Sequence, residues 1–194
     1  MSSDLRAMLK NTTVLIVRHG EKPLTGDNLT PAGQARAQAY VSYFQNYSLN
    51  SESLKISALF AAASSNTSRR PFLTLEPLSK TLGLEIDAKY DDKNPATLVK
   101  FLHETSGFEN TNILVSWRHS GILELADALG VEAHKLPSSA NWVSKPWPPC
   151  VFGWVLQICF NEHGEINTDK TMCVHQKLMF GDHGQNPPSV NCEN

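Results

Sequence analysis

The chain has 194 residues, enough for one domain with a sizeable core, and its 41% hydrophobic and 19% charged residues are proportions of a water-soluble globular protein. A formal net charge of -2 argues against a general nucleic-acid or membrane-surface binder and leaves room for a local basic pocket. No stretch reaches the apolar length that spans a bilayer, and Met1 to Lys10 lacks the apolar centre of an export signal. The expected compartment is therefore cytoplasmic, with an exported form whose signal has been removed as the alternative. The four cysteines, Cys150, Cys159, Cys173 and Cys192, show neither a CxxC pair nor zinc-type spacing. They read as buried free thiols, a disulfide tying Cys192 to the body being the other option.

The first ordered element is Val14-Leu15-Ile16-Val17, an apolar β-type run that stops at Arg18-His19-Gly20-Glu21-Lys22. Pro23 to Asn28 is a turn-rich loop, and Thr30-Pro31 opens a helix in which threonine caps the free amides and proline gives up no bond. Ala32, Ala35, Ala39, Tyr43 and Tyr47 recur at helical spacing and predict its packed face. Lys55 to Ala63 reads as a second buried strand, broken by Ser64-Ser65-Asn66-Thr67-Ser68 and followed by Arg69-Arg70. A helix is predicted over Pro71 to Leu82, packed through Phe72, Leu75, Leu78 and Leu82 and stopped by Gly83.

Leu84 to Ala88 is a short third strand, Tyr90 to Asn94 a polar loop, and Asn94-Pro95 starts a helix ending near Glu104. Thr111 to Trp117 is a fourth apolar strand that delivers Arg118-His119-Ser120-Gly121, after which Ile122 to Leu129 is helical. The Pro-, Ser- and Trp-rich loop from Ala133 to Pro149 reads as a functional rim. Cys150 to Phe160 and Cys173 to Phe180 form an antiparallel pair, and Gly181 to Asn194 is a loop tail. The strand–helix alternation predicts a three-layer α/β sandwich, with a mainly parallel sheet of about six strands and helices on both faces. One domain spans residues 1–194, with its core at 12–180.

In a parallel sheet the strand ends share one edge, where ligands bind. The cargo of these ends repeats: Arg18-His19-Gly20, then Arg69-Arg70 after a small polar cluster, then Arg118-His119-Ser120-Gly121. Two histidines and several arginines converging on one crevice suit phosphoryl transfer. That chemistry rests on positioning and fixed positive charge, and a histidine nitrogen can attack phosphorus in line. The attacking ring must be neutral and in the correct tautomer, which a backbone carbonyl near the turn at Gly20 could enforce.

The ordered set of motifs resembles the histidine phosphatase superfamily, of phosphoglycerate-mutase-like fold, in its small branch without a large lid insertion. Arg18-His19-Gly20 matches the hallmark RHG, and Leu29-Thr30-Pro31-Ala32-Gly33 matches the helix start. Arg70 with Thr74 matches the second arginine, and His119 the second histidine, so the matches span about two-thirds of the chain. The resemblance implies that His19 is the phosphorylated nucleophile and that Arg18, Arg70 and His119 hold the phosphoryl group, with no cofactor and no metal. Arg69 competes with Arg70, and the threonine spacing favours Arg70.

The general acid is open at this point. Some relatives carry an aspartate directly after the second histidine, where this chain has Ser120. Asp91 or Asp92 lies where a mutase-like acid would fall, against the alternative of a solvated turn. Glu21 is a weaker candidate that equally serves to hold the loop. Lys22, Trp142 and Trp147 are candidate substrate contacts; the tryptophans either stack on a leaving group or plug the core. The expected function is a phosphohydrolase acting on a small phosphorylated molecule or a phosphoprotein, as a phosphomonoester or phosphohistidine. The alternatives are a non-catalytic phospholigand-binding module and a phosphoryl mutase. Asp182 and His183 follow the last strand and could approach the site.

Overall fold

In the computed structural model, residues 9–136, 147, 151–179 and 182 are described. The chain builds a six-stranded sheet from β1 (Thr13–Arg18), β4 (Ala58–Ala62), β5 (Ile86–Tyr90), β6 (Asn112–Trp117), β7 (Trp154–Cys159) and β8 (Met172–His175). Their order across the sheet is β5-β4-β6-β1-β7-β8. The first four of these run parallel, β7 runs antiparallel to β1, and β8 antiparallel to β7. Three helices, α1 (Pro31–Gln45), α2 (Arg70–Leu82) and α3 (Ala96–Glu104), connect the parallel strands, and a fourth, α4 (Ile122–Ala128), follows β6 on the way to the antiparallel β7. This is the mainly parallel α/β sandwich expected from the alternation of elements. No described helix is long and apolar enough to cross a membrane.

All six residues of β1 are buried, and the two-residue period of a strand divides them between two cores. Val14 and Ile16 join Leu98 and Leu102 of α3 and Leu125 of α4 on one face. Leu15 and Val17 join Tyr40 and Phe44 of α1 and Leu75 and Leu78 of α2 on the other. A strand covered on both sides cannot tilt without disturbing two packed layers, so β1 is a rigid mount for the residues that follow it.

Several boundaries differ from the sequence expectation for identifiable reasons. The buried residues of α1 are Gly33, Arg36, Ala37, Tyr40 and Phe44, so its inner face is turned from the predicted Ala32–Ala35–Ala39 stripe. A glycine and an arginine occupy that inner face, and hydrophobic spacing alone does not detect them. The predicted cap holds, with the Thr30 hydroxyl accepting from Gly33 N at 3.1 Å. Strand β5 starts two residues late because Leu84 is consumed by the helix end, its amide donating to Ser79 O while Gly83 takes φ +66°. A small hairpin, β2 (Ser48–Leu49) with β3 (Glu52–Ser53), was not predicted. It turns through Asn50 and Ser51, both at positive φ, without the glycine that usually marks such a turn.

Strand β7 begins at Trp154 rather than Cys150, leaving Phe152 and Gly153 in a loop beside the site. Cys159 and Cys173 are buried free thiols, as expected, while Cys150 and Cys192 lie outside the described residues. So do Trp142, His183, Met1 to Met8, residues 137–146 and most of the tail.

The start of α1 presses on the loop after β1. A Cβ on Gly33 would lie 2.6 Å from Glu21 O and 2.8 Å from Glu21 N, and one on Gly20 would lie 2.9 Å from Gly33 O. These neighbours are backbone and cannot swing away. Replacing a helical glycine by alanine ordinarily gains about 0.5–1 kcal/mol, whereas overpacking costs about 1–3 kcal/mol, so the steric term wins here. Gly33→Ala is expected to lower unfolding free energy by about 1–2 kcal/mol in urea denaturation.

Candidate active site

Strand pairing brings the two histidine-bearing ends together. In the register of β1 with β6, Arg18 stands opposite Trp117, and His19 N donates to Trp117 O at 3.0 Å. His119 follows two residues after Trp117. On the other side of β6, β4 leads through Ser64 to Ser68 into Arg70 at the first turn of α2. Neighbouring strands β4, β6 and β1 thus deliver Arg70, His119 and Arg18-His19 to one sheet edge.

The His19 ring is buried, 3% exposed, and its Nδ1 lies 2.7 Å from Gly20 O. A carbonyl only accepts, so Nδ1 carries the proton and Nε2 keeps its lone pair. Burial, then the charge of Arg18, pushes the ring down to about pKa 3, and Arg70 and His119 add to the shift. At neutral pH the ring is uncharged. Gly20 is itself pinned: its amide donates to the Thr74 hydroxyl at 2.8 Å, and that hydroxyl donates to Arg70 O at 2.8 Å. The arginine–threonine spacing seen in the sequence is therefore a physical link between α2 and the loop that carries His19.

Arg18 is completely buried, with Nη1 donating to Val151 O at 3.1 Å and its guanidinium lying 3.7 Å over the Phe152 ring. Burial lowers it to about 9, opposed by Glu21, so it remains cationic at neutral pH. Arg70 is half-buried and donates to Gly26 O at 2.9 Å and Thr67 O at 3.3 Å. Burial and Arg118 lower its pKa, against the pull of Asp27. His119 is half-buried and pushed down to about 4 by burial, Arg18 and Lys22, so it too is neutral at pH 7 and can donate an N–H. Lys22 is exposed at the rim, and Arg69 is exposed as well. Arg18, His19, Arg70 and His119 thus form one electrostatic neighbourhood that suits a compact anion.

The carboxylates considered as acids are committed elsewhere. Asp92 is buried and accepts from Arg118 Nη1 at 2.8 Å, while Arg118 Nη2 also reaches Ala63 O and Ser65 Oγ. Asp91 is exposed and accepts from Lys93 N at 3.0 Å within its own turn. Both oxygens of Glu21 face Arg36, with the shortest contact 2.7 Å. Among the described residues no carboxylate is hydrogen-bonded to His19 or His119. Trp147 is 1% exposed and belongs to the core, its indole donating to Val151 O at 2.9 Å. It therefore offers no face to a substrate. It shares the carbonyl that anchors Arg18, and so buttresses the site from behind.

Three residues here had no role assigned from sequence. Arg36 is hidden in the buried face of α1, Arg118 ties together the loops after β4 and β5, and Phe152 lies under Arg18. An arginine directly before a strand-end histidine was a usable signal for Arg118; for Arg36 and Phe152 only three-dimensional proximity reveals the role. No group of three or more His, Cys, Asp or Glu side chains among the described residues could hold a metal ion.

A ring that titrates far below its normal range carries a pH signature. The unfolded chain would take up a proton at His19 near pH 6.5, whereas the native state resists until about pH 3. The unfolded state therefore binds more protons between those values, and stability should fall as pH is lowered through them, by up to about 1.4 kcal/mol per pH unit from this ring. Nitrogen-15 NMR is expected to show His19 neutral, with the proton on Nδ1, from pH 8 down to about 4.

Comparison with known proteins places this fold. The structure of the protein histidine phosphatase SixA complexed with tungstate superposes with a TM-score of 0.50 at 17% identity, over 82% of this chain and 96% of that one. A putative phosphohistidine phosphatase SixA from Agrobacterium tumefaciens matches over 81% of this chain and 96% of its own, at 15% identity and a TM-score of 0.39. No family model matches the sequence. No curated protein matches it either. The chain has the phosphoglycerate-mutase-like α/β fold of SixA.

Proposed function

We propose that this protein is a phosphohydrolase that works through a covalent phosphohistidine at His19, with a phosphohistidine-type phosphoryl group as its preferred substrate. The observation that carries this reading is the buried 2.7 Å contact between His19 Nδ1 and Gly20 O, which leaves a neutral ring with its Nε2 lone pair free. The fold shared with a protein histidine phosphatase holding tungstate, a tetrahedral oxyanion like phosphate, supports the same reading.

In the proposed reaction, the Nε2 lone pair attacks phosphorus in line, and the bond from phosphorus to the leaving atom breaks with its electron pair. Arg18, Arg70 and the His119 N–H hold the three non-bridging oxygens, where charge is densest in the transition state. The phosphorylated His19 ring becomes cationic and keeps its Nδ1–H on Gly20 O. Water then attacks phosphorus, the P–Nε2 bond breaks and phosphate leaves. Lys22 contributes positive charge at the rim.

The substrate preference follows from the acid. Asp92 is taken up by Arg118 and Glu21 by Arg36, so neither is placed to protonate a leaving oxygen. An alkoxide leaving group then departs slowly, while a phosphorylated imidazole leaves as a neutral ring once its other nitrogen is protonated. A phosphohistidine on a protein or peptide fits these demands. The same lack of a placed acid also favours a second reading, a non-catalytic module that binds phosphorylated ligands.

Rapid-quench labelling with a phosphoramidate or phosphohistidine peptide decides between the two. The expected result is an acid-labile, alkali-stable phosphoenzyme, absent in His19→Ala. A fully active His19→Ala protein would refute the proposal, and phosphate or vanadate binding with no turnover of any substrate would favour the binding module. Hydrolysis of alkyl phosphates should run about 10²–10⁴-fold slower than that of phosphoramidates, the range a missing general acid costs. Asp92→Asn should leave that ratio unchanged.

A further inference from the structure

Arg36 is the only charged side chain on the buried face of α1, and it is 2% exposed. Each of its five N–H donors has a partner. Nε and one hydrogen of Nη2 go to Glu21, at 3.0 and 2.7 Å. The second hydrogen of Nη2 and one of Nη1 go to Asp182, at 2.9 and 2.8 Å, and the last reaches Gln176 Oε1 at 3.4 Å. A guanidinium so saturated has no donor left for a substrate. Burying it costs several kcal/mol unless its partners are well placed, so two carboxylates are needed where one would leave donors unpaired.

What the clamp joins is informative. Glu21 shares a peptide plane with the Gly20 carbonyl that holds His19 Nδ1, and its own carbonyl accepts from Thr30 N and Oγ1 at 3.0 and 3.2 Å. Fixing both the side chain and the carbonyl of Glu21 fixes that rigid plane. At the other end, the Asp182 carboxylate also accepts from Leu178 N and Met179 N, tying down the segment after β8. A Cβ on Gly153 would lie 2.7 Å from Asp182 Cγ, so only glycine lets this carboxylate sit against the loop before β7. Gln176 closes the circuit, donating to Tyr40 Oη at 3.1 Å and to Trp154 O at 3.2 Å.

Phe152 stands between the two arginines, its ring centroid 3.7 Å from the Arg18 guanidinium carbon and 5.9 Å from that of Arg36. One guanidinium with two carboxylates leaves a net negative charge behind Arg18, the sign that keeps a buried cation charged.

We propose that Arg36 is a positioning residue for the phosphoryl transfer read above: clamping Glu21 to Asp182, it fixes the peptide plane that sets the His19 tautomer and the loop that carries Phe152 under Arg18. The inference rests on His19 acting as the nucleophile, but its first readout requires no turnover.

The test compares Arg36→Lys, Glu21→Gln and Asp182→Asn with the unaltered protein, each checked for folding by circular dichroism. Nitrogen-15 NMR at neutral pH reports which ring nitrogen of His19 carries the proton. Single-turnover labelling with a phosphoramidate reports phosphorylation, and vanadate titration reports anion binding. In Arg36→Lys the unique Nδ1–H tautomer should be lost, phosphorylation should slow about 100-fold, and the vanadate Kd should change less than about threefold. Asp182→Asn should show the same pattern at about tenfold. A folded Arg36→Lys that keeps the Nδ1–H tautomer and phosphorylates within about threefold of the parent rate would overturn the proposal. Should Arg36→Lys not fold, Glu21→Gln, which leaves the guanidinium its Asp182 partner, carries the same expectation and the same overturning result. If no variant and no parent forms a phosphoenzyme, the tautomer alone decides: its loss supports the clamp and its retention refutes it.

Discussion

A neutral imidazole has one nitrogen that gives a proton and one that takes, and the contact between His19 Nδ1 and Gly20 O decides which is which. The surrounding structure serves this one hydrogen bond. Strand β1, packed on both faces, aims the ring; β6 holds its backbone through Trp117 O; Thr74 holds the Gly20 amide; and the start of α1 fits against the loop only because residue 33 has no side chain. Burial then keeps the ring neutral in a neighbourhood rich in positive charge.

The second organising constraint is the distribution of charge. Arg36 and Arg118 absorb Glu21, Asp182 and Asp92, at distances of 2.7 to 2.8 Å. Arg18, Arg70 and His119 face the same sheet edge and together attract an anion. Exposed pairs such as Lys80 with Glu76 contribute little by comparison, about 0.3–0.5 kcal/mol. The buried pairs matter because breaking one strands a charge, which costs about 3–5 kcal/mol. The arrangement therefore couples integrity of the fold to the electrostatics of the site.

Much of this was legible in the sequence. The sheet, its parallel character and the edge carrying Arg18, His19, Arg70 and His119 follow from apolar runs that end in repeated polar cargo. Thr30 and Gly83 behaved as caps because capping is local chemistry. What escaped was long-range. Arg36 looks like a solvent residue until Glu21 and Asp182, 15 and 146 positions away, are brought to it. For Trp147 the sequence left a stacking face and a core plug as equals, and only its burial in three dimensions decides for the core. The carboxylates near the motifs look like acids until their arginine partners are known. Periodicity reports which faces are apolar, and it is silent on charges that are buried in pairs.

The most direct test of the account is a crystal structure with orthovanadate, which takes the geometry of pentavalent phosphorus. The account predicts vanadium bonded to His19 Nε2, its equatorial oxygens met by Arg18, Arg70 and His119, with Nδ1 still on Gly20 O. Vanadate bonded through Nδ1, or bound away from His19, would contradict it.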